Sequence, residues 1–241
     1  MKRVNLNLRS MTAIAVSLAV TVMFASCKKG SDNFNNSDIN VIIANNMEES
    51  ENVVKIQAIV SDTQWSKQVI SETFLKDNGF QLFLPNKLSE NLLKPIVNEN
   101  LPKNLVSDSS AKWAFLGFDV ESANSSLYHI LILDNSHSQP DGKHTKEGIY
   151  VYADRPVRLS GNNVRWEDNP RQPWSSLLYQ YEVESTTTYS NLTLTAGWNV
   201  ICKEYYNEIV SDKLRRAYFT YSNKDLSDCK WRFYIHDFTG Y

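Results

Sequence analysis

Val69-Ile70-Ser71-Glu72-Thr73-Phe74-Leu75-Lys76-Asp77-Asn78-Gly79-Phe80-Gln81-Leu82-Phe83-Leu84 decides the fold class. Two short runs rich in β-branched and aromatic residues flank a polar Asp-Asn-Gly, the pattern of a β-hairpin. Asn78-Gly79 supplies the positive φ angles of a tight turn, and Pro85, which cannot donate a ladder hydrogen bond, stops the second strand. Upstream, the β-branched run over 53–60 predicts another strand. Downstream, strands are predicted over 112–120, 127–133, 177–184, 191–195, 198–206, 214–221 and 230–238. Residues 148–154 and 156–161 read as one strand interrupted by Pro156, which favours a sheet edge or a bulge. Ala196-Gly197 marks a sharp turn before Trp198. Polar loops are expected over 134–147 and 162–176. Ser89 to Lys94 is a single helical turn opening on a serine cap and ended by Pro95. No later window carries an apolar stripe at helical spacing. The expectation is an all-β chain, an antiparallel β-sandwich with a β-barrel as the alternative.

The N-terminus decides location. Lys2, Arg3 and Arg9 form a basic head, residues 11–25 are apolar apart from small Ser and Thr, and small residues precede Cys27. That is the layout of a secretory signal. The run of about 15 residues is shorter than the roughly 20 needed to span a bilayer, and Lys28-Lys29 follow at once. Phe24-Ala25-Ser26-Cys27 resembles the lipobox of bacterial lipoproteins, which implies cleavage before Cys27 and acylation of that residue. Two or more acyl chains hold a protein stably on a bilayer. The expected location is the outer membrane, on its cell-surface or its periplasmic face, since Lys28 rather than an aspartate follows the lipidated residue.

The leader holds three of the 25 Lys+Arg and none of the 27 Asp+Glu, so the chain after it has 22 basic against 27 acidic residues, a net charge of −5. Phosphate binding needs a concentrated basic face and none is visible, which argues against nucleic acid. Residues 27–51 are Asn, Ser, Asp and Glu-rich and read as a tether, with one apolar patch at 39–44 suited to a short edge strand. The remainder, 52–241, is expected to form one sandwich domain, or two packed subdomains, 52–105 and 106–241.

Several constellations carry candidate chemistry. Cys202 and Cys229 are the only cysteines besides Cys27. They are either a disulfide pair in an oxidising compartment or two separate thiols, and with no Cys-x-x-Cys redox catalysis is unsupported. His137, Asp141 and His144, near Asp134, crowd one loop with metal-ligating side chains, but their spacing matches no metal signature. Ser109-x-x-Lys112 has the spacing of a penicillin-binding nucleophile, yet it leads into a strand and lacks the partner motifs. No Ser-His-Asp arrangement is visible, His129 and His236 falling on strands. Glu167-Asp168 are adjacent, whereas glycoside cleavage needs carboxylates separated in space. The most suggestive segment is 161–174. There Arg165, Trp166, Asp168, Arg171 and Trp174 set flat apolar faces beside hydrogen-bonding groups, which suits stacking on a sugar ring or a protein hot spot. The competing reading folds Trp166 and Trp174 back as a lid on the sandwich. Trp65, Trp113, Trp198 and Trp231 lie in or beside strands and are expected to pack.

Beyond these residues the chain carries a resemblance. Leu101-Pro102-Lys103 leading to Val106-Ser107-Asp108, Tyr150-Val151-Tyr152-Ala153-Asp154 with Ser160-Gly161, Leu192-x-Leu194 with Gly197-Trp198-Asn199, and a terminal Lys230-Trp231 strand together resemble a group of uncharacterised Bacteroidetes outer-envelope lipoproteins. The resemblance covers most of residues 52–236 and implies envelope location and a transthyretin-like or Ig-like sandwich. It carries no catalytic residues and no cofactor. The function expected is a membrane-anchored, non-enzymatic binding module for a glycan or protein. The alternatives are a structural subunit exchanging strands at the Pro156 edge and a hydrolase whose site is assembled from distant strands.

Overall fold

Side chains that alternate along a strand let one sheet bury both faces wherever a second layer covers each, and that is how this chain builds its body. The computed structural model describes residues 40–45, 47, 53–62, 64, 66–122, 128–135, 144–168, 182–211 and 214–236. Among these residues thirteen strands run in chain order: β1 (Val41–Ala44), β2 (Val53–Ser61), β3 (Lys67–Phe74), β4 (Phe80–Phe83), β5 (Lys94–Pro95), β6 (Lys112–Ser122), β7 (Tyr128–Asp134), β8 (His144–Ala153), β9 (Val157–Asp168), β10 (Glu182–Leu194), β11 (Gly197–Ser211), β12 (Leu214–Ser222) and β13 (Lys230–His236). The only helical pieces among the described residues are 3-10 turns at Glu90–Leu92 and Lys103–Leu105. The turn at Ser89 forms as expected, but its serine side chain makes no cap hydrogen bond. No helix among the described residues is long and apolar enough to cross a membrane.

The main sheet runs β3-β2-β6-β7-β8-β11-β12-β10-β9, with β13 added on β7 and β5 on β6; β1 and β4 form a second, two-stranded sheet. Pairing is antiparallel except for β10 with β12, which is parallel. The sheets stay open, so the fold is a mixed β-sandwich and the barrel alternative is not what forms.

One face of the main sheet presents Ile56, Ala58 and Val60 of β2, Ala114, Leu116 and Phe118 of β6, Tyr150 and Tyr152 of β8, and Trp198, Val200 and Cys202 of β11. The β1–β4 sheet closes over it through Ile42, Ala44, Phe80 and Leu82, all in one core cluster. Strand β1 comes from the stretch read as tether, so the folded body begins no later than Asn40. The apolar patch at 39–44 supplies alternate side chains, Ile42 and Ala44, that are almost completely buried. The opposite face presents Trp113, Val151, Ala153 and Ile201. It is covered by Leu101 and Leu105 and by the near ends of β9 and β10 through Val157, Leu159, Leu192 and Leu194. The far ends of β10 and β11 are joined through β12, so one continuous sheet supplies both layers.

Several local expectations are corrected. The turn after β3 centres on Asp77 and Asn78, at φ 51° and 56°, one residue earlier than Asn78-Gly79. Gly79 instead pairs back with Lys76 and is small for another reason, since a Cβ there would meet the Ala44 carbonyl oxygen at 2.6 Å. The turn also joins two different sheets, so β3 and β4 do not continue as a hairpin. The runs 148–154 and 156–161 are not one strand: β8 is interior while β9 ends the sheet, as Pro156 at an edge requires. The Pro156 end of that edge is already met by the chain at 106–107. Ser107 N–H donates to the Arg158 carbonyl at 2.9 Å, and the Ser107 hydroxyl accepts from the Arg158 amide at 2.9 Å. Residues 162–168, expected as loop, continue β9 because β10 is long enough to pair with them, and 182–194 form one strand with a bulge between Tyr189 and Leu192. The expected turn before Trp198 is present, with Gly197 at φ +98°.

Candidate functional site

Beyond the core, β8, β11, β12, β10 and β9 run on as an arm whose side chains are mostly half-buried. Residues directly opposite on neighbouring strands share a face, so the pairing defines rows. One row reads His144, Tyr206, Tyr218, Thr186, Val164; the next, toward the core, reads Lys146, Glu204, Thr220, Thr188, Asn162. On the other side of the first row lie Glu208, Arg216, Glu184 and Trp166. The rings of the first row stack across the strands: His144 on Tyr206 at 4.3 Å between centroids and 19°, and Tyr206 on Tyr218 at 5.7 Å and 19°. Cross-strand aromatic pairs of this kind stiffen a sheet that has little core beneath it.

Over these rows opens a cleft of about 540 Å³. Its floor is His144, Tyr206, Tyr218 and Thr220, and its end wall is Asn135, Lys146 and Asp228. The wall is tied together: Lys146 Nζ donates to Asp228 Oδ1, Asn135 Nδ2 donates to Asp228 Oδ2 at 3.0 Å, and the Lys146 amide donates to Asn135 Oδ1 at 2.8 Å. Burial works against both charges of the Lys146–Asp228 pair, but their mutual hydrogen bond and attraction outweigh it. The ammonium is therefore raised and the carboxyl held below the usual carboxylate range. Glu204 is paired with Lys224 at 2.6 Å, and Glu184 with Arg216 at 2.9 Å. The cleft thus offers phenol and threonine hydroxyls, an amide and a ring stack, with its charges neutralised in pairs.

The Lys146–Asp228 pair has a pH signature. A carboxyl depressed in the folded state contributes stability that is present above its unfolded pKa and lost as pH falls through the folded value. Asp228→Asn is therefore less stable than wild type at neutral pH, and the gap closes below about pH 4. The effect is modest because Asp228 is half exposed. Urea melts from neutral pH down to the acid limit check it; a gap that persists into acid would mean the pair is not its source.

The residues singled out in 161–174 are only partly brought together. Arg165 and Trp166 are successive on β9 and so point to opposite faces of the sheet. Trp166 is 62 % exposed on the same face as the cleft and is not a lid. Asp168 is the last residue of β9, opposite Glu182. Arg171 and Trp174 lie outside the described residues, as do Cys27, His137 and Asp141. Among the described residues no group of His, Cys, Asp and Glu side chains is arranged to hold a metal ion, and His144 is engaged in the ring stack. Lys112, of the Ser-x-x-Lys spacing, is held by Glu90 at 2.7 Å, while Ser110 donates to Asp108 at 2.7 Å. Cys202 and Cys229 are free thiols rather than a bridge. Burial pushes Cys202 up to about 11 and Cys229 up to about 12, and the Cys229 thiol donates to the Lys146 carbonyl at 3.7 Å. With so little thiolate at neutral pH, neither is a nucleophile.

Tyr206, Tyr218 and Thr220 were not visible as site residues in the sequence. The signal that could have found them is the alternation of polar and aromatic residues in Glu204-x-Tyr206-x-Glu208 and Arg216-x-Tyr218-x-Thr220, which marks strands with a wet face. No protein-family model, curated protein or solved structure matches the chain.

Proposed function

We propose that this chain is an acyl-anchored outer-envelope lipoprotein whose sandwich is a non-enzymatic binding module, with the arm cleft holding a neutral glycan. The observation that carries the reading is the cleft floor itself. Tyr206 and Tyr218 set their phenols beside Thr220 and Asn135, next to charges already neutralised in pairs. Such a surface offers hydrogen bonds and apolar ring edges to a hydroxyl-rich ligand and gives no net charge to attract an ionic one. Trp166, exposed on the same face, extends the surface beyond Arg216 and Glu184. The lipid anchor at Cys27 rests on the lipobox resemblance and the signal-like leader, and places the cleft in the envelope where glycans are met.

A glycan array probed with the detergent-extracted full chain tests this. Neutral oligosaccharides bind, and Tyr218→Ala weakens the strongest of them by about tenfold, the loss expected for one packed aromatic contact. Trp166→Ala weakens only longer chains, because it lies outside the cleft floor. An array empty of neutral glycans, or a Tyr218→Ala variant that binds as wild type, removes the cleft from the account.

A further inference from the structure

On the sheet face opposite the cleft, a smaller cup of about 220 Å³ opens at the junction of the two layers. Its floor is Leu101, Leu192 and Ile201, each at most 2 % exposed. One wall is Trp113 packed edge to face on Phe115, with centroids 4.8 Å apart at 62°; the other is Tyr189 stacked on Tyr221 at 5.4 Å and 17°. The rim is the segment 98–100, and it is built rather than loose. Asn98 Oδ1 accepts from the Asn100 amide at 2.8 Å and from the Leu101 amide at 3.1 Å, while Asn163 Nδ2 reaches over from β9 to donate to the Asn100 carbonyl at 2.9 Å. The phenol rings of Tyr189 and Tyr221 both line the cup. Phe115 remains 44 % exposed at the mouth although it adjoins the core.

We propose that this cup is a separate binding site for a single aromatic ring carrying a hydroxyl, a phenol, held between the Trp113–Phe115 and Tyr189–Tyr221 pairs. Size argues for one ring: the cup is smaller than the roughly 300 Å³ from which sites for drug-sized ligands begin. It is larger than the dry cavity of about 150 Å³, lined by Leu, Ile and Phe, that takes up benzene. The lining argues for an aromatic ring over a sugar. A pyranose presents hydroxyls around its whole edge, and those directed at Leu101, Leu192 and Ile201 would be buried without partners. A phenol buries an apolar body on that floor, meets aromatic edges on both sides and leaves one hydroxyl at the tyrosine pair. Burial raises both tyrosine phenols, Tyr189 to about 12, so both stay protonated and able to donate as well as accept. A free phenolic compound and the tyrosine side chain of a peptide present this same ring chemistry.

Titration of the full chain in detergent, followed by ligand-observed NMR, tests the site with p-cresol, toluene and a blocked tyrosine amide. p-Cresol binds saturably in about the millimolar range. Phe115→Ala, which removes an exposed wall and spares the floor, weakens it about fivefold or more. Tyr221→Phe weakens p-cresol and leaves toluene unchanged, a split that mere loss of folding would not produce. Tighter binding of the tyrosine amide than of p-cresol identifies a peptide side chain as the source, and weaker binding a free phenol. Tyr218→Ala on the other face leaves p-cresol binding intact, which separates this site from the glycan cleft. Absence of saturable p-cresol binding, or a Phe115→Ala variant that binds as wild type, overturns the proposal.

Discussion

Trp198→Ala is expected to lower the unfolding free energy by about 3–5 kcal/mol, the range for truncating a buried large aromatic side chain. In a domain of this size that corresponds to a fall in Tm of roughly 10 °C. Trp198 is 1 % exposed, meets Tyr152 edge to face at 5.3 Å, and donates its indole N–H to the Pro85 carbonyl at 2.9 Å. The contact joins β11 of the main sheet to the end of the segment that carries β4, so it holds the smaller sheet down on the larger. Two losses can be separated. Trp198→Phe keeps a ring against Tyr152 but leaves the Pro85 carbonyl without its donor, at a cost of about 1–3 kcal/mol. Chemical denaturation of the two variants checks the order, Ala well below Phe and Phe below wild type. If Trp198→Ala lost no more than Trp198→Phe, the indole hydrogen bond that both variants remove, and not the packing, would be the organising contact, against the burial seen.

That residue was legible from the sequence, and the reason is general for this chain. Where a strand is buried on both faces or sits over the core, apolar side chains crowd together, and β6, the first half of β11 and β13 stood out for that reason. The arm was harder. In 162–168 polar residues surround one valine and one tryptophan, which composition alone cannot distinguish from a loop bearing an aromatic. Only pairing with β10 turns Asn162 to Asp168 into a strand, and that pairing is set by long-range register. The same register separates Arg165 from Trp166, neighbours in sequence that a strand sends to opposite faces. It also brings His144, Tyr206 and Tyr218 into one row from three segments spread over some 75 residues. The parallel placement of β10 beside β12 is a tertiary choice that no local pattern announces. Thr186 and Thr188 continue the cleft face beyond Tyr218 and Thr220 only in that arrangement.

Arg232→Met is expected to be the most damaging charge substitution in the described part of the chain. Arg232 Nε stands 3.2 Å from Asp134 Oδ1, with side-chain exposures of 15 % and 10 %. The N–H is not aligned for a hydrogen bond, so the contact is an ion pair held by charge and enclosure. Removing the guanidinium leaves a carboxylate enclosed without its cation, which costs about 3–5 kcal/mol. A double change, Asp134→Leu with Arg232→Met, is expected to recover most of that loss, since neither charge then has to be taken out of water. Recovery is incomplete because Asp134 has a further interaction besides Arg232. The consequence reaches the cleft. Asp134 ends β7 and is followed by Asn135, whose amide group holds both Asp228 and the Lys146 backbone at the end wall. Displacing Asp134 should therefore loosen that wall, so Arg232→Met weakens glycan binding as well as the fold, while the double variant restores stability more completely than binding. Denaturation and glycan titration of the three proteins side by side check it. A double variant no more stable than Arg232→Met would show that the enclosed carboxylate is not what the arginine neutralises.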